Sequence, residues 1–369
     1  TGEEGEWLLN VSYALKESDG LLPAGHVAAK QQFTLRQYGF GLPEMKNETN
    51  RDYTAAAPAV RDNDRQYIIV EGDNFTVEIG RRTGYISRYC VGGTEMLKEG
   101  AVIKPNFWRA PTDNDYGANL QMRYQVWKEP AIHLKLAPPR TDGRRPERMM
   151  RPAEDALVTT VENGIVKVAA KLVIEEIGDL FLTYEINNAG AVRVTQKLAA
   201  DAGKQLPNMF RFGMQVVMPR SFEKVVYYGR GPIENYADRK ESQLLGIYRQ
   251  SADEQFFPYI RPQETGLKSD MRWWKQTDAK GKGLMLTADC PFYASALHYD
   301  QADMDEGDTK RQRHSQQIPH SRYTNLYIDM EHSGVGGVNT WSMDGFALPK
   351  YRVDYKDRSF TFYLTPMTN

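Results

Sequence analysis

The 369-residue sequence predicts an all-β protein dominated by one large antiparallel β-sandwich. From about residue 66 onward, segments of alternating apolar and polar residues follow one another, as half-buried strands do. The 21 Tyr, 14 Phe and 6 Trp favour the same class, because aromatic side chains suit a pleated surface. Sustained helical periodicity is scarce, with one short helix predicted around residues 304–316. The sandwich spans about 300 residues, which is too large for an immunoglobulin-type unit of about 100.

Turn residues place several of the strands. The Asn163-Gly164 pair predicts a two-residue hairpin, since a type I′ turn needs positive φ at both central residues. The residues that follow this pair fall on one face of a strand at period two, and they are Val166, Val168, Ala170, Leu172 and Ile174. Near the end of the chain, the strings YRVDY and FTFYL predict a closing pair of strands.

The organisation of the chain predicts two units joined by a linker. Residues 1–40 contain two strands around the polar turn ESDGLLPAG, and an isolated hairpin buries too little surface to be stable in water. We therefore expect the chain to begin inside a domain whose other strands lie outside this sequence. Residues 41–64 are rich in Pro, Ala, Asn and Asp and are predicted to be an interdomain linker. Residues 65–369 then form the large sandwich.

Charge and hydropathy argue against nucleic-acid and membrane partners. The formal net charge is −1 and the pI is about 6.6, which gives no overall basic field for a polyanion. A basic stretch runs through Arg140, Arg144, Arg145, Arg148 and Arg151, and the Pro and Gly residues within it indicate a solvated loop. No apolar run reaches the roughly 20 residues of a membrane span, and the first residues do not resemble a signal peptide.

Patterns of the common catalytic and metal sites are absent from the sequence. No His pair has the helical spacing and accompanying Glu of a zinc hydrolase, and there is no Gly-x-Ser-x-Gly string or phosphate-binding Gly loop. The string Asp113-Asn114-Asp115 lacks the downstream Glu of a calcium loop, so a turn with Asx hydrogen bonds is the preferred interpretation. The acidic residues of 300–308 and the basic residues of 310–313 are expected to form a solvated loop and short helix. We predict no catalytic residue, metal site or cofactor in this chain.

Four strings are unusually rich in Gly, Pro, Arg, Asn, Asp and Trp for a β-sandwich core. They are FWRAPTDND at 107–115, YGRGPIENYADRK at 228–240, YIRPQETGLKSDMRWW at 259–274 and GVGGVNTW at 334–341. Gly and Pro fix special backbone geometry, while Arg and carboxylates can tie loops together through bidentate contacts. In the second string, Arg230, Glu234 and Asp238 are expected to form a structural ion-pair cluster near a domain contact.

In this order and at these spacings, the four strings resemble the C-terminal small-chain domain of lacZ-type glycoside hydrolase family two β-galactosidases. The opening stretch, with Ala24-Gly25-His26 and Gln31-Gln32-Phe33, resembles the end of the immunoglobulin-like domain that precedes it in that family. The resemblance implies a β-supersandwich, a fold shared with galactose mutarotases. It also implies that a (β/α)₈ barrel outside this chain carries two glutamates, which hydrolyse terminal β-galactosides with retention. That barrel commonly uses Mg and Na ions.

The resemblance implies one substrate-binding residue in this chain, Trp341. This residue ends the string that corresponds to the family's G-[VI]-G-G-x-x-[ST]-W pattern. The apolar face of a galactose ring presents C–H groups that pack against a flat indole, so the side chain binds substrate rather than moving protons. Gly334, Gly336 and Gly337 are expected to let the loop turn sharply. Four other tryptophans are expected in the core or in interfaces, namely Trp108, Trp127, Trp273 and Trp274.

The sequence departs from the family pattern at two places. Val338 and Asn339 stand where two acidic residues are frequent, and Thr265 replaces a frequent Asn. We expect these changes to alter local hydrogen bonding and to soften galactose specificity. Two alternative functions stay open: a stand-alone galactoside-binding lectin, and an aldose epimerase in which His298 supplies an acid or base.

The expected partners follow from the resemblance. They are a β-galactoside, the N-terminal domains and barrel of the same enzyme, and further copies of that enzyme in a homo-oligomer. The sequence does not fix the compartment, for which the bacterial cytoplasm and periplasm are both open, and the isolated chain is expected to be inactive.

Overall fold

A computed structural model describes residues 5–48, 57–138 and 151–368, and β-strands dominate all three ranges. Four residues of the predicted basic loop, Arg140, Arg144, Arg145 and Arg148, lie outside the described residues, as does the middle of the predicted linker. None of the helices in these ranges is long and apolar enough to cross a membrane.

The strands are short near the start of the large unit and longer toward its end. The first ten are β1 Trp7–Ala14, β2 Val27–Arg36, β3 Ala59–Arg61, β4 Tyr67–Gly72, β5 Phe75–Gly80, β6 Ile86–Val91, β7 Thr94–Glu95, β8 Lys104–Asn106, β9 Ile132–Leu134 and β10 Leu157–Glu162. The others are β11 Ile165–Ile174, β12 Gly178–Ile186, β13 Val192–Ala200, β14 Arg211–Pro219, β15 Lys224–Gly231, β16 Leu244–Ser251, β17 Lys268–Thr277, β18 Gly283–Leu297, β19 Tyr323–His332 and β20 Arg358–Met367.

Helical structure in the described ranges is confined to single turns between strands. The α-helices are α1 Asp113–Gly117, α2 Leu120–Arg123, α3 Ala252–Gln255 and α4 Gln301–Met304. The 3-10 turns are Gln125–Trp127, Ser315–Gln317, Met343–Gly345 and Pro349–Tyr351.

The strands form three sheets. β1 and β2 pair with each other, β3 to β7 form a five-stranded sheet, and β8 to β20 form a thirteen-stranded sheet in which the pairings are antiparallel. Residues 283–288 of β18 pair with β20, whereas residues 293–297 pair with β19. One long strand therefore connects two parts of a curled sheet. The predicted all-β class and large antiparallel architecture are confirmed.

The hairpin predicted at Asn163-Gly164 is present. These two residues have φ angles of 52° and 79° and connect β10 to β11, as a type I′ turn requires. The predicted inward face of β11 is also correct, because its five alternating apolar side chains are buried in the main core. The core also takes in Trp108, Trp127 and Trp274, whereas Trp273 is half-buried.

The β1–β2 hairpin exposes nearly every residue on both of its faces. It contacts the large sheet through few polar groups. The Gln32 side chain exchanges two hydrogen bonds of 2.9 Å with the backbone of Leu245, and Glu6 forms an ion pair of 2.6 Å with Arg272. The assignment of this hairpin to a separate domain stays a prediction.

The described parts of residues 41–64 pack against the large unit. Met45 is buried in a small cluster with Ile165 and Tyr363, and the Asn47 side chain donates to the carbonyl of Gly164 over 3.1 Å. Ala59–Arg61 forms β3 and pairs with β4. This segment therefore contributes strand and core contacts, and its function as a linker stays a prediction.

The helix predicted around residues 304–316 is wrong. Helix α4 ends at Met304, and the next ten residues are not helical. The acidic residues there were also expected to be solvated, but Asp305 and Glu306 are buried. Glu306 accepts from Arg261 at 2.7 Å and from Arg313 at 3.3 Å. The ion pairs of Glu306 compensate its burial, in an irregular loop whose residues from 307 to 314, Asp308 among them, are exposed or half-buried.

We expect Leu286→Ala to lower the free energy of unfolding by about 2–5 kcal/mol, since Leu286 is buried in β18 and its loss leaves a cavity. Urea unfolding followed by tryptophan fluorescence measures the change. Thr287→Ala, at the half-buried neighbouring position, is the control and should cost at most about 1 kcal/mol. Equal losses in the two variants would contradict the burial pattern of β18.

Candidate functional site

Trp341 lies in a loop after β19, and its indole faces solvent. We call residues 333–346 the Trp341 loop. The Trp341 side chain is 78% exposed, whereas Trp108, Trp127 and Trp274 are at most 3% exposed. A large apolar ring left in water is available to a ligand or to another protein surface. The exposure is compatible with the predicted substrate contact, which stays a prediction.

Hydrogen bonds within the loop fix the backbone around Trp341. The Asn339 side-chain oxygen accepts from the backbone N–H groups of Trp341 at 3.1 Å and Ser342 at 3.0 Å. The Val338 N–H donates to the carbonyl of Asp344 over 2.7 Å and closes the loop on itself. The amide at position 339 therefore organises the turn that carries the indole.

Glycines let the loop pack closely, but not in the way the sequence predicted. Gly334, Gly336 and Gly337 were expected to permit a sharp turn, yet none of them has a positive φ. They matter because neighbours approach them closely. A Cβ on Gly337 would lie 2.4 Å from the carbonyl oxygen of Gly345, a distance that real Cβ atoms do not adopt.

Helix α1 supports the loop directly beneath Trp341. A Cβ on Gly117, the last residue of α1, would lie 2.7 Å from the Trp341 backbone nitrogen. The helix begins with a capping box, in which Asp115 N–H donates to the Thr112 hydroxyl at 3.2 Å and Thr112 N–H donates to the Asp115 carboxylate at 2.8 Å. The Asx turn predicted for residues 113–115 is therefore wrong, because the capping box turns this string into a helix.

A buried ion pair anchors the base of the loop. Arg109 binds the Asp115 carboxylate through two hydrogen bonds of 3.0 and 2.8 Å, and both side chains are buried. The same guanidinium donates to the carbonyl of Ser333 at 2.7 Å and to that of Gly334 at 3.0 Å. The first and fourth sequence strings thus meet at the Arg109 guanidinium, which binds Asp115 in a bidentate ion pair and also donates to the carbonyl of Gly334.

The ion-pair cluster predicted for Arg230, Glu234 and Asp238 is wrong, because these residues do not pair with one another. Arg230 contacts Asp270 at 2.6 Å, and Glu234 contacts Arg239 at 2.5 Å. Asp238 instead accepts hydrogen bonds from backbone N–H groups of the Trp341 loop. Arg230 lies in β15, whereas Glu234 and Asp238 lie in the irregular segment beyond this strand, so the three side chains point to different neighbours.

Comparison with known proteins identifies the chain. Residues 71–364 match the profile of the family described as beta galactosidase small chain. The chain belongs to the β-galactosidase small-chain family. The β-galactosidase of Priestia megaterium is 31% identical over 370 residues, covering 99% of this chain and 32% of its own length. That of Lactobacillus delbrueckii subsp. bulgaricus is 30% identical with the same coverage. This small chain therefore spans about a third of these relatives, and the resemblance of the four strings is confirmed.

Solved structures similar to this small chain include sugar epimerases. A putative aldose 1-epimerase from Escherichia coli aligns with a TM-score of 0.44 and 9% identity, covering 85% of this chain and all of the other. A galactose 1-epimerase from Lactobacillus acidophilus aligns with a TM-score of 0.41 and 10% identity, covering 85% and 97%.

The epimerase alternative loses its only candidate residue. His298, proposed from the sequence as an acid or base, is buried in the small chain. Its Nδ1 lies 2.8 Å from the Asp253 carboxylate and its Nε2 lies 3.1 Å from the Thr324 hydroxyl. Both ring nitrogens are occupied and the ring has no access to a ligand, so His298 as an epimerase acid or base is wrong.

Thr265, the second departure from the family pattern, is well accommodated in the small chain. Its buried hydroxyl donates to Glu234 at 3.1 Å and accepts from the Phe257 N–H at 2.9 Å. The neighbouring Gly266 N–H donates to the same Glu234 carboxylate at 2.7 Å. With Thr at position 265, the loop that carries Glu264 therefore stays fixed by hydrogen bonds.

A buried charged cluster lies against the base of the Trp341 loop. Arg211 forms an ion pair of 2.6 Å with Asp329, and Glu264 lies 3.9 Å from both Arg211 and His332. Burial raises the pKa of Glu264 to about 7, although the guanidinium groups of Arg211 and Arg109 act in the opposite direction. Burial, with the same two arginines, lowers the pKa of His332 well below its ordinary value.

The charged residues that support the base of the Trp341 loop were not identified from the sequence. Arg109, Asp115 and Glu264 lie within recognised strings, and their charge inside Gly- and Pro-rich segments was the available signal. Arg211 and Asp329 lie in ordinary strands, β14 and β19, and only the register between these strands brings them together. Across the described ranges, no group of three or more His, Cys, Asp or Glu side chains is placed to hold a metal ion.

We expect Glu264→Gln to change the pH dependence of stability. Because folding raises the pKa of Glu264 from 4.5 to about 7, its stabilising contribution is present below pH 4.5 and is lost as pH rises to 7. The variant should therefore gain about 3 kcal/mol relative to wild type between pH 4.5 and 8. Urea unfolding at several pH values measures this difference, with Glu162→Gln, an exposed position in β10, as the control. Parallel pH profiles for wild type and Glu264→Gln would refute the raised pKa.

Proposed function

We propose that this chain supplies Trp341 as an aromatic wall for a terminal β-galactoside, within a β-galactosidase that hydrolyses its substrate with retention. The observation that supports the proposal is the geometry of the Trp341 loop. Its indole is 78% exposed, yet the backbone beneath it is held by α1 and by internal hydrogen bonds. An exposed aromatic ring on a fixed backbone is suited to binding, because little conformational entropy is lost when a ligand contacts it.

The chemistry of the wall is limited to binding. An indole offers a flat apolar face for sugar C–H groups and one N–H donor, and neither transfers a proton at neutral pH. Bond cleavage with retention requires two carboxyl groups about 5–5.5 Å apart on either side of the glycosidic bond. We propose that both lie in a (β/α)₈ barrel within the larger part of the enzyme, to which the family's Mg and Na ions would also bind.

The remaining contacts of the chain are proposed to be structural. The exposed apolar side chains of the β1–β2 hairpin, such as Trp7, Leu9 and Phe33, would be covered by the other strands of an immunoglobulin-like domain. The enzyme would assemble further as a homo-oligomer. The lectin alternative has no supporting observation of its own, because a single aromatic wall by itself supplies little net affinity.

In the full-length enzyme, Trp341→Ala should weaken galactoside binding by roughly 1–3 kcal/mol, the scale of a lost aromatic contact. Trp341→Phe should lose less, because a smaller ring keeps part of the wall. KM and inhibition constants for galactosides measure the effect. Phe257→Ala, which removes an aromatic ring that is 49% exposed outside the loop, is the control. Unchanged constants for Trp341→Ala would place the aromatic wall elsewhere.

The isolated chain should not cleave nitrophenyl galactoside, since the two carboxyl groups are proposed to lie outside it. Release of nitrophenol, followed by absorbance, tests this. Calorimetric titration of the same sample with galactose and lactose should give dissociation constants weaker than about 1 mM. Robust turnover would overturn the proposal that the catalytic carboxyl groups lie outside this chain. Tight sugar binding would favour the lectin.

A further inference from the structure

We propose that Asp238 is a positioning residue for Trp341, which holds the base of the Trp341 loop through its carboxylate. The inference rests on the proposed function of Trp341 as a substrate wall. Asp238 lies in the second sequence string, about a hundred residues before the loop, so its contact with the loop is a feature of the tertiary structure alone.

The carboxylate of Asp238 accepts two consecutive backbone hydrogen bonds from the loop. Oδ1 accepts from the Val335 N–H at 3.1 Å, and Oδ2 accepts from the Gly336 N–H at 2.7 Å. Hydrogen bonds to an ionised acceptor are shorter and about twice as strong as those between neutral groups. A neutral amide in this place would offer one acceptor oxygen and would direct N–H donors at the other backbone N–H.

The loop is shaped to admit this carboxylate. A Cβ on Gly334 would lie 2.3 Å from Asp238 Oδ2, and a Cβ on Gly336 would lie 2.9 Å from the same atom. Glycine at both positions is therefore required for the contact. A longer carboxylate such as Glu would have to shift the loop backbone or bend away from it, because the Asp238 oxygen atoms already lie within hydrogen-bonding distance of that backbone.

Asp238 and Arg109 bind complementary backbone groups of the same segment of the loop. Arg109 donates to the carbonyls of Ser333 and Gly334, while Asp238 accepts from the next two N–H groups. One guanidinium and one carboxylate thus hold residues 333–336. Arg109 is fully buried in an ion pair, whereas Asp238 is only half-buried, so Asp238 can be replaced with less risk to folding.

This contact can orient the indole, although it lies five residues before Trp341. The Gly337–Gly345 approach and the hydrogen bond from Val338 to Asp344 make the outer part of the loop a closed unit. We therefore expect a shift at residues 335–336 to displace that unit against its contact with α1 at Gly117, and to move the indole with it. Small displacements of a positioning group can cost a large part of its contribution.

The contact itself is tested on this chain by hydrogen exchange and mass spectrometry. Exchange in the peptide that contains Val335 and Gly336 should accelerate roughly tenfold in Asp238→Ala, and by less in Asp238→Asn, which keeps one acceptor. Asp155→Asn removes an exposed carboxylate paired with Lys171 and should leave this peptide unchanged. Equal exchange in all variants would overturn the proposal, whatever the role of Trp341.

The positioning role is tested in the full-length enzyme by a double-mutant cycle. Asp238→Asn should raise KM for a galactoside several-fold with little change in kcat, and it should add nothing when Trp341 is already Ala. Additive effects would overturn the proposal, because Asp238 would then act independently of Trp341. If Trp341→Ala leaves KM unchanged, the proposed function and this positioning role both fail, while faster exchange in the loop would still establish the contact.

Discussion

The buried ion pair between Arg109 and Asp115 is the interaction on which the geometry of the candidate site depends. Removing two charges from water costs several kcal/mol per ion, and the cost is offset only when their hydrogen-bonding groups find partners. Here the guanidinium is shared between the Asp115 carboxylate and the carbonyls of Ser333 and Gly334. Asp115 also caps α1, the helix that supports the Trp341 backbone. One pair of charges therefore fixes both the base of the loop and its support.

This arrangement keeps the Trp341 side chain exposed to solvent while its backbone stays ordered. A buried side chain is oriented by its packing, but an exposed indole gains nothing from burial and must be oriented by its backbone. The Trp341 loop meets this requirement with close backbone approaches at Gly117 and Gly337 and with the amide of Asn339. At position 339, where an acidic residue is frequent in the family, Asn339 keeps an oxygen acceptor. It does so without placing a negative charge beside the proposed sugar surface.

Local patterns predicted the strands well, but they did not indicate which strands distant in sequence pair with one another. Alternation and the Asn163-Gly164 pair depend on neighbouring residues, so they could be recognised without the fold. The division of β18 between two partner strands depends on sheet curvature, which no local pattern records. The helix expected around residues 304–316 failed for the same reason, because Arg261, distant in sequence, pairs with Glu306. Trp341 could be singled out only through the family resemblance, and its exposure required the structure.

The four strings that marked the family are unusual in composition because they meet at one place. The Arg109 side chain and Asp238 bind the Trp341 loop, and the Glu264 N–H donates to the carbonyl of Ala110 at 3.0 Å. Perturbed pKa values such as that of Glu264 occur both in active sites and in structural ion networks. In this chain Glu264 is buried beside His332, the residue that leads into the loop, so a structural interpretation fits better than a catalytic one. We infer that charges, glycines and prolines accumulate in these strings because an exposed indole, here the proposed aromatic wall, needs a rigid polar support that an apolar core cannot provide.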